Sequence, residues 1–169
     1  FRRAFNLGRE MVRRGHDVTV VTTSRSARVR TVWTQQEGVR LLEAPDLTWG
    51  PARTGWDPYN AMRRIGELAG SAFDLVHAFD CRPAVIFPAL AAARTGAALF
   101  IDWADWWGRG GTIEERSAWA VRTFFGPIET WFEESFRTRA AGATVISTAL
   151  RERCIGLGVP PERVLHLPD

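Results

Sequence analysis

The stretch Asp102-Trp103-Ala104-Asp105-Trp106-Trp107 concentrates more usable chemistry than any other in the chain. Two carboxylates and three indoles suit a polyhydroxylated ligand, because aromatic faces stack on the apolar faces of sugar rings while carboxylates accept from hydroxyls. The alternative is a Trp-rich packing cluster with an Asp capping the next helix. In an extended chain running through Asp105, alternation sets the two carboxylates on opposite faces, which argues against one metal ion shared by both. Gly108-Arg109-Gly110-Gly111 follows directly. Such a segment can offer backbone N–H groups and a guanidinium to a phosphate. It is neither the dinucleotide fingerprint nor a P-loop, and an ordinary flexible loop accounts for it as well.

Two further groups stand out. His77-Ala78-Phe79-Asp80 closes an apolar run. An imidazole or carboxylate there can act as a base or hold sugar hydroxyls; the plainer reading is a His77 buried in a sheet and bonded to backbone. Ser147-Thr148 precedes a short helix, where Ser147 serves as an N-cap or meets a ligand.

All these residues follow apolar runs that read as strands. The clearest transition is Arg14-Gly15-His16-Asp17-Val18-Thr19-Val20-Val21-Thr22. Gly15 ends a helix by taking positive φ, and the valines begin a strand apolar on both faces, as in a parallel sheet covered by helices. The chain then reads as helix 1–14, strand 17–23, a polar Arg-rich loop 24–37, and a more exposed strand 38–43. A breaker-rich connection leads to a helix from Asp57 to about Leu68. Strand 73–78, helix 83–93 and strand 98–102 follow. An amphipathic helical stretch covers 113–139, with Ile113, Val121, Phe124, Phe125, Ile128, Trp131, Phe132 and Phe136 on one core-facing stripe and a kink or split at Gly126-Pro127. Strand 143–147, helix 148–155 and strand 163–167 complete the pattern. This alternation predicts an α/β fold with a Rossmann-like, doubly wound parallel sheet that includes 17–22, 73–78, 98–102 and 143–147. Such sheets bind ligands beyond the C-terminal ends of their strands, which is where the candidate residues lie.

Composition narrows the class. The 169 residues are 46% apolar, enough for a packed core. All 22 basic residues are Arg, which reads as codon bias of a GC-rich genome, and the net charge is only +3. A nucleic-acid footprint needs Arg clustered on one face; the one tight group, Arg25, Arg28 and Arg30, reads as a solvated loop, so no nucleic-acid partner is expected. Cys81 and Cys154 form neither a CxxC motif nor a disulfide framework, and reduced thiols point to a cytoplasmic setting. No run approaches the ~18 apolar residues of a membrane span. Phe1 opens inside a helical pattern and Asp169 follows a strand and a turn, so both ends read as cut.

In order and spacing, six pieces resemble the N-terminal domain of family 4 GT-B glycosyltransferases, the retaining, nucleotide-sugar-dependent type. They are the 14–22 stretch, Gly38-Val39-Arg40, Phe73-Asp74-Leu75-Val76-His77-Ala78, Asp105-Trp106-Trp107, Ala141-Gly142-Ala143-Thr144-Val145-Ile146-Ser147 and Gly158-Val159-Pro160-Pro161-Glu162-Arg163-Val164. The resemblance implies that residues 1–169 form a single Rossmann-like, acceptor-side domain whose first strand and whose C-terminal donor domain lie outside the chain. It implies transfer of a sugar from a nucleotide-sugar donor to a glycan, lipid or small-molecule acceptor, with peripheral membrane contact left open. It implies no metal or cofactor. Many members place a second His two residues after the one matching His77; here that residue is Phe79, so no His base carries over. Asp105 and Asp80 stand as candidate catalytic groups, and His77, Asp102, Trp106, Arg109, Gly110 and Ser147 as substrate contacts. A non-catalytic ligand- or partner-binding domain is the alternative, with an NAD(P)-dependent oxidoreductase behind it, disfavoured by the missing fingerprint.

Overall fold

The computed structural model describes residues 1–27, 29–48 and 54–168, so Arg28 and the breakers Gly50 and Pro51 lie outside the described residues. The chain divides into two compact units, Phe1–Ala69 and Gly70–Asp169.

The first unit contains α1 (Arg2–Arg13), β1 (Thr19–Thr23), β2 (Val32–Gln36), β3 (Val39–Ala44) and α2 (Pro58–Leu68). Its sheet has the order β1-β3-β2, with β1 and β3 parallel and β2 antiparallel to β3. The strand β2 corrects the reading of 24–37 as a loop throughout. Four of its five residues are exposed, so it carries no buried periodicity to betray it. It forms because Glu37 and Gly38 both adopt positive φ, 49° and 82°, the condition for a tight two-residue hairpin. That hairpin makes β3 the central strand, with Val39, Leu41, Leu42 and Ala44 buried, where the sequence pattern had predicted the more exposed one. Phe5 and Val12 of α1 pack against Val20, Val39 and Leu41. On the opposite face Arg64 of α2 donates to Thr23 Oγ1 at 2.7 Å, and Asn60 Nδ2 donates to the Pro45 carbonyl at 2.9 Å. The Asp57 carboxylate caps α2 by accepting from Tyr59 N at 2.9 Å.

The second unit contains β4 (Leu75–Ala78), α3 (Pro83–Ala93), β5 (Ala98–Trp103), α4 (Thr112–Glu115), α5 (Trp119–Arg137), β6 (Gly142–Val145), α6 (Thr148–Gly156) and β7 (Val164–His166). Its four strands are all parallel, in the order β4-β5-β6-β7, which gives the α/β, Rossmann-like architecture. The strand expected at 17–22 is not part of this sheet among the described residues; as β1 it pairs with β3. Every connection steps one strand in the same direction, so right-handed crossovers carry α3, α5 and α6 to a common face. There Trp103, Ala143, Val145 and Val164 pack with Leu150 and Cys154 of α6. The opposite face carries His77 beside Phe100 and Asp102 beside Thr144.

The 113–139 stretch departs from expectation twice. The break falls at 116–118, where Arg116 turns to pair with the buried Glu129 at 3.1 Å, and α5 continues through Pro127. Proline there removes one bond to the carbonyl of Thr123, at an exposed position. The aromatic stripe is also not a core stripe. Ile113 and Phe132 are buried, but Phe124 is 65% exposed and Trp131 55%.

The hairpin turn gives a test of opposite signs. A Cβ on Gly38 would meet Val12 Cγ1 at 2.6 Å, whereas one on Gly66, inside α2, meets nothing within 4 Å. Gly38→Ala therefore lowers stability by about 1–3 kcal/mol, and Gly66→Ala raises it by about 0.4–1 kcal/mol, both read by urea denaturation.

Candidate functional site

Parallel pairing brings the C-terminal ends of β4, β5 and β6 to one edge of the second sheet. His77, Asp80, Asp102, Asp105, Trp106, Arg109, Gly110 and Ser147 all belong to the strand ends and loops of that edge. The structure distinguishes those already engaged by protein from those left open.

Three of the candidate polar groups are committed internally. The Asp80 carboxylate accepts from Cys81 N at 2.7 Å and Arg82 N at 3.1 Å, and pairs with the Arg82 guanidinium at 2.6 Å. It orders the start of α3. The Ser147 hydroxyl accepts from Leu150 N at 3.3 Å and caps α6. Asp102 is buried and accepts from the Thr144 hydroxyl. Because Thr144 spends its single proton on Asp102, the His77 Nε2 that lies 3.0 Å from Thr144 Oγ1 must carry hydrogen and donate to it. Asp102, Thr144 and His77 thus form a line across three strands that fixes the imidazole, and Phe79 packs against that ring at 4.3 Å between centroids.

The segment after β5 is held from several sides. Glu133 of α5, fully buried, accepts from Trp107 N at 3.0 Å and from Gly108 N. The same carboxylate takes Arg153 Nε of α6 at 3.1 Å. Arg137 of α5, also buried, donates to the Asp105 carbonyl at 3.1 Å. Each of the three indoles has a guanidinium over its ring: Arg137 over Trp103 at 4.7 Å, Arg153 over Trp106 at 4.3 Å and Arg82 over Trp107 at 4.4 Å. Trp106 Nε1 donates to the Arg109 carbonyl at 2.8 Å, and a Cβ on Gly111 would overlap the Trp106 backbone. Gly110 N donates to Glu114 at 2.7 Å and Gly111 N to the Gly108 carbonyl at 2.8 Å. The N–H groups of Gly108, Gly110 and Gly111 are therefore spent on protein, and the guanidinium of Arg109 remains for an anion.

Two charged side chains are left open. Asp105 and Arg109 are exposed, and neither side chain has a hydrogen-bond or ion-pair partner among the described residues. They project from one rigid loop, a carboxylate and a guanidinium four residues apart. No group of three or more His, Cys, Asp or Glu among the described residues is arranged to hold a metal ion.

The sequence reading singled out the loop but missed the residues that hold it: Arg82, Glu133, Arg137 and Arg153. The signal for Glu133 and Arg137 is the row Glu129, Glu133 and Arg137 at four-residue spacing, which looks like an ordinary solvated helix face until the aromatic face opposite is known to point outward.

A parallel α/β unit whose loops gather at the strand C-termini defines a Rossmann-like class of domain. The chain belongs to a glycosyltransferase family within it: the family model described as Glycosyl transferase 4-like domain matches residues 2–169. No curated protein matches the chain in a sequence comparison.

Two outcomes follow from this geometry. Glu133→Ala leaves two loop N–H groups and Arg153 without their buried carboxylate, and it lowers stability by about 3–5 kcal/mol in chemical denaturation, with Glu133→Gln losing less. Burial pushes the Cys81 and Cys154 thiols up to about 11, so at pH 8 both stay protonated in the folded protein. Iodoacetamide then modifies them at least roughly 10²-fold more slowly than an ordinary free thiol, and denaturation removes the difference.

Proposed function

We propose that this chain is the acceptor-side domain of a retaining glycosyltransferase. It works with a nucleotide-sugar donor held by a further domain and passes the sugar to a glycan, lipid or small-molecule acceptor in a cytoplasmic setting. The family match supports a glycosyltransferase-like domain; donor, acceptor and stereochemistry are our reading. The observation that carries it is the pair of open charges on the loop after β5, Asp105 and Arg109.

In this reading the Arg109 guanidinium faces the negative charge that develops on the leaving phosphate as the glycosidic bond to it breaks. A fixed cation at that position stabilises the transition state more than the ground state. The Asp105 carboxylate accepts from an acceptor hydroxyl and orients it, or takes its proton as the new bond forms. His77, held by Thr144 and Asp102, offers its imidazole to hydroxyls at the neighbouring strand end. Asp80 acts at one remove, by holding Arg82 over Trp107. Trp106, Gly110 and Ser147 shape the edge rather than react. Rigidity matters because misplacing a reacting group by about 1 Å costs on the order of 10²-fold in rate.

The test is sugar transfer by the protein that carries this chain together with its donor domain. Asp105→Asn and Arg109→Ala each lower kcat about 10²-fold, while Glu162→Gln, an exposed carboxylate in the turn before β7, leaves turnover unchanged. Equal turnover in all three variants removes this loop from the site.

A further inference from the structure

Three polar side chains cross the second sheet in a line, on the face opposite α6. Asp102 of β5 and Thr144 of β6 are buried, and His77 of β4 is half-buried. Backbone register sets the line. His77 lies opposite Phe100, and Asp102 lies opposite Thr144. The His77 ring therefore reaches over β5 to bring Nε2 within 3.0 Å of Thr144 Oγ1. Gly142 makes room for Phe100, since a Cβ there would overlap the Phe100 ring. Phe79, 4.3 Å away between centroids, and Phe100, edge-on at 6.5 Å, hold the imidazole in place.

The line has a direction. An ionised carboxylate has no proton to give, so Asp102 accepts the one hydroxyl proton of Thr144. The Thr144 oxygen then offers only lone pairs toward His77, and Nε2–H donates into them. In a neutral imidazole the other ring nitrogen must be an acceptor. Any group that meets Nδ1 therefore has to bring the proton. A sugar hydroxyl brings one. The ionised oxygens of a phosphate bring none and would set lone pair against lone pair. Arg109, on the loop after β5, is under the opposite constraint, because a guanidinium only donates.

We propose that Asp102, acting through Thr144, is the positioning residue that keeps His77 an acceptor at Nδ1, so that the end of β4 takes a hydroxyl of the sugar acceptor and refuses a phosphate. Asp102, expected as a substrate contact, thus acts at one remove. The ligand in this inference rests on the transfer reading; the place of the proton on the ring does not. Together the two constraints orient a substrate, with hydroxyls toward β4 and phosphate toward the loop after β5.

The experiment uses the protein that carries this chain together with its donor domain, isotope-labelled on histidine. The ring-nitrogen shifts of His77 are read by NMR without sugar at pH about 8, where an ordinary imidazole is neutral, and are assigned by their loss in His77→Gln. A single tautomer protonated at Nε2 is expected in the parent and in Thr144→Ser, and a mixture of tautomers in Asp102→Ala and Thr144→Val. These last two break the line independently, so either one that keeps the parent's circular dichroism suffices. In sugar transfer Asp102→Ala raises KM for the acceptor about 2–10-fold, the worth of one hydrogen bond, with a smaller change in kcat. Thr144→Val does the same, and Thr144→Ser reverses it. A parent ring protonated at Nδ1, or at both nitrogens, overturns the proposal. So does a single Nε2–H tautomer that survives in both Asp102→Ala and Thr144→Val. An unchanged acceptor KM in Asp102→Ala overturns the hydroxyl assignment, while the transfer reading still stands on Asp105 and Arg109. A parent that transfers no sugar fails the transfer reading, and the nitrogen shifts still decide the place of the proton.

Discussion

The carboxylate of Glu133 is the constraint on which the rest of the candidate site depends. It is fully buried, and a buried charge is tolerated only when its surroundings supply hydrogen bonds and counter-charge. Here those come from two backbone N–H groups of the loop and from Arg153. The same requirement that protects the carboxylate therefore fixes the path of Trp107 and Gly108. Arg137 adds a bond to the Asp105 carbonyl, and the three guanidinium groups over the three indoles restrict the remaining freedom. A loop with three glycines would otherwise lose substantial backbone entropy on ordering. Its order is built in by contacts from Arg82 at the start of α3 and from α5 and α6, and the charged side chains of Asp105 and Arg109 are left to face solvent.

That arrangement also accounts for the reversed helix. To reach the loop, α5 turns its charged row inward and spends it on backbone and arginine partners. Its aromatic row then has nowhere to go but outward. Exposing large apolar side chains forgoes about 25 cal/mol for each Å² left in water.

Fold class was legible because the strand runs are apolar on both faces and separated by helical segments. Gly15 does adopt positive φ, Asp57 and Ser147 cap the helices they precede, and the whole-chain family resemblance agrees with the family match. What escaped the sequence has physical causes. Strand β2 is mostly exposed and owes its existence to a Glu-Gly hairpin, a weaker turn signal than Asn-Gly. The stripe on α5 has the spacing of a core face, and spacing alone cannot tell which side of an amphipathic helix meets the protein. The site was legible as a location, the end of β5, since its unusual residues are contiguous. The roles within it were not, because Asp80, Asp102 and Ser147 look as available as Asp105 until their tertiary partners are known.

The account stands on the claim that Glu133 holds the loop after β5 in one conformation. Amide hydrogen exchange at Trp107 and Gly108, followed by NMR on the unaltered protein at neutral pH, tests that claim most directly. The account predicts strong protection at both amides, as slow as in the neighbouring strand β5, although both lie in a glycine-rich loop outside regular structure. Exchange of Trp107 and Gly108 at the rate of an unstructured peptide would contradict it.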